Sequence, residues 1–277
     1  MSLPIFPPGA DPGPDFAALL RRVEPAALPW WLGGAGGPPE GARGLRDGRP
    51  GHLPHGTTVV ALRFADGVVM AGDRRATEGN FIAHRSMEKV FPADRHSAVA
   101  VAGAAGPAVE MVRLFQTQLE HYEKVEGVAL SLEGKANQLG QMVREHLPMA
   151  FQGLAVVPLF AGYDLRRQTG RIFTYDVTGG HYEETDHAAT GSGGRDARTT
   201  IKLGWRPGLS RAEAIELAVR ALYNAADEDA ATGGPDAVRG IYPVVALVTA
   251  EGYSRVAEDE VAARFADLLA RGLGRER

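Results

Sequence analysis

"GHLPHGTTVVALRFADG", residues 51–67, changes character in its middle. Up to Gly56 the chain is broken by glycine and proline. From Thr57 it becomes a run of Thr, Val, Ala and Leu ending at Asp66-Gly67, a dipeptide that favours hairpin turns. A strand therefore starts abruptly, on two threonines, more than fifty residues into the chain.

Behind that start, residues 1–56 hold 11 of the 18 prolines and 11 of the 35 glycines, a density that prevents continuous helix or ladder formation. The segment has one helix-like stretch, "PDFAALLRRVEP", with Phe16, Leu19, Leu20 and Val23 at helical spacing. An apolar knot at Trp30-Trp31 precedes "GGAGGPPEGARG". Its apolar residues are too few for a core. Two readings stand: a disordered tail or linker, or a leader that docks on another surface and is then removed.

Ahead of it the pattern is dense. "TTVVALRF", "GVVMAGD", "SMEKVF" and "SAVAVAG" read as short strands joined through Asp66-Gly67, a longer connection around Glu78-Gly79-Asn80 and a turn at Pro92-Ala93-Asp94-Arg95. Two helices follow, one from Pro107 with Val112, Phe115, Leu119 and Tyr122 on a stripe, one from about Ser131 to Leu147. "LAVVPLFAGYD" and "GRIFTYDVTGG" form a second hairpin, followed by a short helix from about Arg195. A capping box, Ser210-x-x-Glu213, then opens a helix that ends near Gly233-Gly234-Pro235. After the strand "PVVALVT" a last helix closes the chain. Strands, two helices, strands and helices again predict an α+β fold of two stacked antiparallel sheets with helices on their outer faces.

Composition limits the function. The 277 residues carry 44% hydrophobic residues, enough for a full core, and a net charge of -4 with no lysine or arginine run, which argues against the concentrated basic face that nucleic acid or an anionic membrane requires. With no cysteine there is no disulfide framework, thiolate nucleophile or cysteine-ligated zinc, as suits a cytoplasmic protein. No export signal or membrane span is expected: the start lacks a basic region before an apolar one, and no run reaches about 18 apolar residues.

The hairpin registers gather a set of reactive groups. With Asp66 and Gly67 as central turn residues, Ala65 faces Val68, Thr57 lies near Ala76, and Asp73 is about one pleat away. A turn at Asp94-Arg95 sets Lys89 alongside Ala100 and leaves Gly103 on the same rim. An internal threonine hydroxyl is a poor nucleophile, and no histidine stands in a sequence context to activate it. A terminal threonine differs, because its α-amine, with a reference pKa of about 7.7 to 8.0, accepts the hydroxyl proton within the same residue. Gly56 suits the position before such a cut, since without Cβ it tolerates the tight geometry of attack on its carbonyl.

Residues 57–277 resemble the catalytic β-subunits of the 20S proteasome, most closely the actinobacterial type. The resemblance rests on "HGTTVVAL", "GVVMAGDRRATEGN", "EKVF", "VAGAAGPA", "TGSGG" and "DEDAATGG", in the family order and at family-like spacings. It implies the four-layer αββα sandwich of the Ntn-hydrolases and division into a propeptide, 1–56, and a catalytic domain, 57–277, separated by self-cleavage at Gly56-Thr57. It also implies Thr57 as nucleophile with its freed amine as base, and a buried Asp73–Lys89 pair that lowers the proton affinity of the neighbouring groups. The Gly103 amide becomes the oxyanion donor, and Ser192, Asp229 and Thr232 orient the amine and a water. Thr232 departs from the commoner serine but keeps the hydroxyl.

Substrate is expected as an extended strand against Thr77, Gly103 and Ala105, with an apolar pocket of Ala76, Met87, Val101 and Ala105 that favours cleavage after hydrophobic residues. The implied partners are proteasome α-subunits, further β-subunits in seven-membered rings of an α7β7β7α7 stack, an ATPase unfoldase ring and protein substrates, with neither nucleic acid nor membrane.

Other motifs weigh less. "GSGG" before a helix lacks Walker spacing and its lysine, and "HYEETDH" is not a zincin pattern and reads as a solvated turn. No metal or other cofactor is expected. Two rival identities are an HslV-type peptidase subunit, which shares the Thr-Thr start, and a non-catalytic ring subunit that keeps its leader.

Overall fold

A computed structural model describes residues 56–78 and 81–272. The readings made on residues 1–55 lie outside the described residues.

Strand β1 (Thr58–Phe64) pairs with β2 (Gly67–Gly72) in the expected hairpin. β1 is buried at every position but one, and β2 at every position, so neither can be a half-solvated strand. Both faces must be covered, and the two sets of alternating side chains find different partners. Val59 and Ala61 of β1, with Val68 and Met70 of β2, point at a second sheet, where they meet Ala98, Ala100, Leu159, Ala161 and Ile172. Val60, Leu62, Val69 and Ala71 point the other way, against helices that carry Ile201, Leu222 and Phe265.

The first sheet has the order β10-β1-β2-β11-β12, completed by β10 (His187–Gly191), β11 (Val244–Thr249) and β12 (Gly252–Arg255). The second is a meander of β5 (Val90–Asp94), β6 (Ser97–Gly103), β7 (Val156–Asp164), β8 (Thr169–Tyr175) and β9 (His181–Glu184). Helices α1 (Ala105–Glu126) and α2 (Leu132–Glu145) cover its outer face, where Phe115 and Leu139 join Val99, Val101, Phe160 and Phe173. Past a short α3 (Leu147–Ala150), helices α4 (Gly194–Gly204), α5 (Arg211–Glu228) and α6 (Glu258–Ala270) form the remaining outer layer. The order helix, sheet, sheet, helix is the αββα sandwich expected from the sequence.

Both hairpin registers differ from expectation. Phe64 pairs with Gly67, so the central turn residues are Ala65 and Asp66, and Gly67 already belongs to the ladder. The glycine is required by a neighbour, because a Cβ there would lie 2.1 Å from the Val248 carbonyl oxygen of β11. Asp73 consequently comes opposite Thr58, and its N–H donates to the Thr58 carbonyl at 3.1 Å. In the other hairpin Val90, not Lys89, faces Ala100, with an irregularity between Pro92 and Asp94. Asp94 opens the turn, accepting from His96 N–H at 3.0 Å and Ser97 Oγ at 2.6 Å.

Other boundaries move for local reasons. α1 begins at Ala105, which puts Pro107 in the first turn, where its missing N–H costs nothing, and Tyr122 of the expected stripe is 38% exposed. The helix from Ser131 is interrupted before Pro148, after a start in which Ser131 Oγ accepts from Gly134 N–H at 3.1 Å. The connection around Glu78 forms a small hairpin of β3 (Ala76–Glu78) and β4 (Phe81–His84). "HYEETDH" is no solvated turn: it supplies β9 and the start of β10, two strands hidden by polar outward faces.

Candidate active site

The chain enters β1 through Gly56 and Thr57, both buried. Asp73, just past the end of β2 and fully buried, receives four donors. Its Oδ1 accepts from Thr58 N–H at 2.8 Å and Lys89 Nζ at 2.7 Å, its Oδ2 from Arg75 N–H and Gly233 N–H, both at 2.9 Å. Those bonds compensate the removal of a carboxylate from water, and they draw four separate segments to one point.

Lys89 is 1% exposed. Besides Asp73, its ammonium donates to the Arg75 carbonyl and reaches the Gly56 carbonyl oxygen at 3.4 Å. Burial pulls its pKa below the ordinary lysine value, against the opposing pull of Asp73. The ion pair with Asp73 holds this amine group beside the carbonyl of the Gly56-Thr57 bond.

A second carboxylate approaches from the other side. Asp229, which caps the end of α5, accepts at Oδ2 from Ser192 Oγ and Thr232 Oγ1, each at 2.5 Å, and at Oδ1 from Ala231 N–H at 3.1 Å. Burial would raise its pKa, but these three hydrogen bonds outweigh it and hold the carboxyl below the usual range. Ser192 faces the backbone of Thr57, its Oγ accepting from Thr57 N–H at 3.3 Å and its N–H donating to the Thr57 carbonyl at 2.8 Å. Ser192 has one hydroxyl proton, and the 2.5 Å bond to Asp229 takes it, so toward the Thr57 nitrogen the serine can only accept.

Gly103 ends β6 with φ +107°, and a Cβ there would lie 2.1 Å from the Ala155 carbonyl oxygen. Only glycine serves. Together with Gly56, Thr57, Ala76, Met87, Lys89, Val101, Ala105 and Ala108 it lines a small cavity whose walls, Lys89 and Thr57 apart, are apolar or bare backbone. Gly56 is held as tightly: a Cβ on it would fall 1.8 Å from that of Ala231.

The sequence-predicted residues therefore come together in two groups. Thr57, Lys89, Gly103, Ala76, Met87, Val101 and Ala105 surround the cavity, while Ser192, Asp229 and Thr232 meet behind the Thr57 backbone. Asp73 lies beneath, on Lys89. Thr77 stands apart from the lining, and its Oγ1 accepts from Gly56 N–H at 3.2 Å. Sequence reasoning missed Ala108 of the lining, the Arg75 carbonyl and Gly233 N–H that complete the Lys89–Asp73 group, and Thr58, whose hydroxyl is fully buried. The signal for Thr58 was a second hydroxyl in a strand otherwise apolar at its buried positions.

Among the described residues no group of three or more His, Asp or Glu side chains is placed to hold a metal ion, and no helix is long and apolar enough to cross a membrane.

A backbone nitrogen held by a serine, a preceding carbonyl beside an ammonium and a positive-φ glycine on the same cavity form an arrangement suited to acyl transfer. Comparison with known proteins points the same way. Residues 53–239 match the family model described as Proteasome subunit. The chain is 65% identical over 256 residues to the proteasome subunit beta of Acidimicrobium ferrooxidans, covering 92% of this chain and 89% of that protein. It is 60% identical over 220 residues to the proteasome subunit beta of Streptomyces griseus subsp. griseus, covering 79% and 78%. By fold and by these matches, the chain belongs to the proteasome subunit family.

Proposed function

We propose that this chain is a catalytic β-subunit of a cytoplasmic 20S proteasome core, a threonine endopeptidase made as a precursor that cuts itself between Gly56 and Thr57. The observation that carries the reading is the seating of that bond, with its carbonyl oxygen 3.4 Å from the Lys89 ammonium and its nitrogen 3.3 Å from Ser192 Oγ.

Before the cut the Thr57 nitrogen is an amide, whose lone pair is delocalised into the carbonyl and cannot act as a base. In self-cleavage the Thr57 hydroxyl adds to the Gly56 carbonyl carbon and a C–O bond forms. In the tetrahedral adduct the nitrogen has lost its amide resonance, takes the hydroxyl proton and departs as the C–N bond breaks, leaving an ester and a free amine. Water then hydrolyses the ester, releasing residues 1–56. The freed amine takes the hydroxyl proton in each later turnover. Because Ser192 only accepts from this nitrogen, it holds an N–H and leaves the lone pair for the threonine's own side chain. Attack on a substrate carbonyl builds negative charge, which the Gly103 N–H and the nearby Lys89 charge stabilise. The departing amine carries away the proton, and water frees the acyl group. An apolar pocket of Ala76, Met87, Val101 and Ala105 selects hydrophobic residues before the cut. Substrate main chain lies along Thr77, Gly103 and Ala105.

The subunit works beside other proteasome subunits, in seven-membered β rings between α rings, fed by an ATPase unfoldase. Thr57→Ala, co-expressed with the α-subunits, tests the reading. The expected result is assembled particles with no peptide hydrolysis and a chain that keeps its leader by intact mass. Hydrolysis by that variant, or a wild-type chain that matures at a residue other than Thr57, overturns it.

A further inference from the structure

The mechanism above uses the first threonine of the pair and gives the second no task, yet the Thr58 side chain is fully buried. A hydroxyl in that position costs desolvation that valine, of similar shape, would avoid, so its hydrogen bonds matter. It makes two: Gly193 N–H donates to Thr58 Oγ1 at 2.9 Å, and Thr58 Oγ1 lies 2.6 Å from Thr232 Oγ1. Glycine at 193 leaves the two hydroxyls room to meet, because a Cβ there would sit 2.7 Å from both oxygens.

The direction of the second bond follows from proton counting. Each hydroxyl has one proton, and that of Thr232 is committed to Asp229 Oδ2 at 2.5 Å. Thr232 can therefore only accept from Thr58, and Thr58, having donated, can only accept from Gly193. A one-way chain results, from Gly193 N–H through Thr58 and Thr232 to Asp229, where it meets the opposite chain from the Thr57 nitrogen through Ser192. The backbone of the same residue is tied to the other carboxylate, with Thr58 N–H on Asp73 Oδ1 at 2.8 Å.

We propose that Thr58 is a positioning residue for the threonine chemistry: its hydroxyl donates to Thr232 and so fixes the orientation in which Thr232 and Ser192 share Asp229 around the Thr57 nitrogen. The inference rests on the proposed threonine mechanism. Without the donor, Thr232 is free to turn its hydroxyl away from Asp229, and Ser192 then holds the nitrogen in more than one orientation. Ground-state binding of substrate, on the far side in the cavity, does not depend on this chain.

The test uses full-length chains co-expressed with α-subunits, with rates normalised to chains whose intact mass begins at Thr57. Thr58→Val is expected to lower kcat about tenfold, the effect of one lost buried hydrogen bond, with KM unchanged. Thr58→Ser, which keeps the hydroxyl, restores kcat. In combination with Thr232→Val, Thr58→Val adds no further loss, because the pathway is already broken. A Thr58→Val chain that assembles but keeps its leader while Thr58→Ser matures also supports the proposal, since self-cleavage uses the same nitrogen. Wild-type kcat in Thr58→Val, a loss that Thr58→Ser shares, or multiplying losses in the double variant overturns it. If Thr57→Ala is inactive while Thr58→Val matches wild type, this inference alone fails and the threonine mechanism stands.

Discussion

Lys89 and Lys135 each bury an ammonium against an aspartate, and their surroundings differ. Lys89 meets Asp73 where the ends of several segments converge, so that Gly56, Thr58, Arg75 and Gly233 all contribute backbone groups. Lys135, on α2, meets Asp94, whose other partners, His96 N–H and Ser97 Oγ, lie within one tight turn. Two residues earlier on the same helix Glu133 binds Arg171, itself buried and paired with Glu183 and Asp164. The second group fastens a helix to a sheet. The first gathers distant pieces of chain around a bond, with a charge that fastening alone does not require. A buried ion pair is weak evidence of stability, so the kind of neighbours it collects says more about its use.

Substitution separates the two most sharply at the lysines. Lys89→Met is expected to lower peptide hydrolysis at least about a hundredfold, the scale for removing preorganised charge stabilisation, in particles that still assemble. Fluorogenic peptide turnover against particle count by native electrophoresis reads this, and retained turnover would erase the distinction. Lys135→Met should spare the chemistry. It leaves the part-covered Asp94 without its cation and costs about 2 kcal/mol in urea unfolding, while turnover per assembled particle stays at the wild-type level.

The smallest effect belongs to an ion pair of a third kind, partly open to water. Glu260 of α6 takes both guanidinium nitrogens of Arg211, at 2.5 and 2.9 Å, with Arg264 adding a bond at 3.1 Å. The Arg211 hydrogen bonds, against the counter-effect of burial and with help from Arg264, pull its pKa from 4.5 down to about 2. A depressed carboxylate stabilises the fold fully above pH 4.5 and loses that contribution as pH falls toward about 2. Glu260→Gln is expected to cost less than about 1 kcal/mol at neutral pH. The Tm gap between variant and wild type should begin to close below pH 4.5; a gap that widens instead would contradict the assigned direction.

Much of the fold was legible because its central strands carry short runs rich in apolar residues. β1, β2, β6, β7, β8 and β11 stand where the sequence placed them, and so does the capping box of Ser210 and Glu213. The unread strands are short and lack a fully buried run: β3 has three residues, β4 is exposed throughout although it carries Phe81 and Ile82, and β9, β10 and β12 mix partly covered with open positions. Register failed where a turn signal had another cause. Gly67 is glycine because Val248 passes close by, a fact of β11 that no local reading of residues 57–73 contains. In the site, the residues named by resemblance cluster as expected, because side-chain identities at fixed spacing carried that information. The contacts supplied by main chain, at Arg75 and Gly233, carry no residue signature. Thr58 was visible as a letter, but its partners lie 135 and 174 positions away.

Gly56 shows how a protein can mark one of its own bonds without a pocket to recognise it. Ala231 fills the space any β-carbon would need, so the backbone ahead of Thr57 lies flat beside Lys89 only when it bears nothing. On the proposed reading the scission site is addressed by exclusion. Drift of that one codon would misplace the carbonyl and leave every other part of the machinery intact but silent.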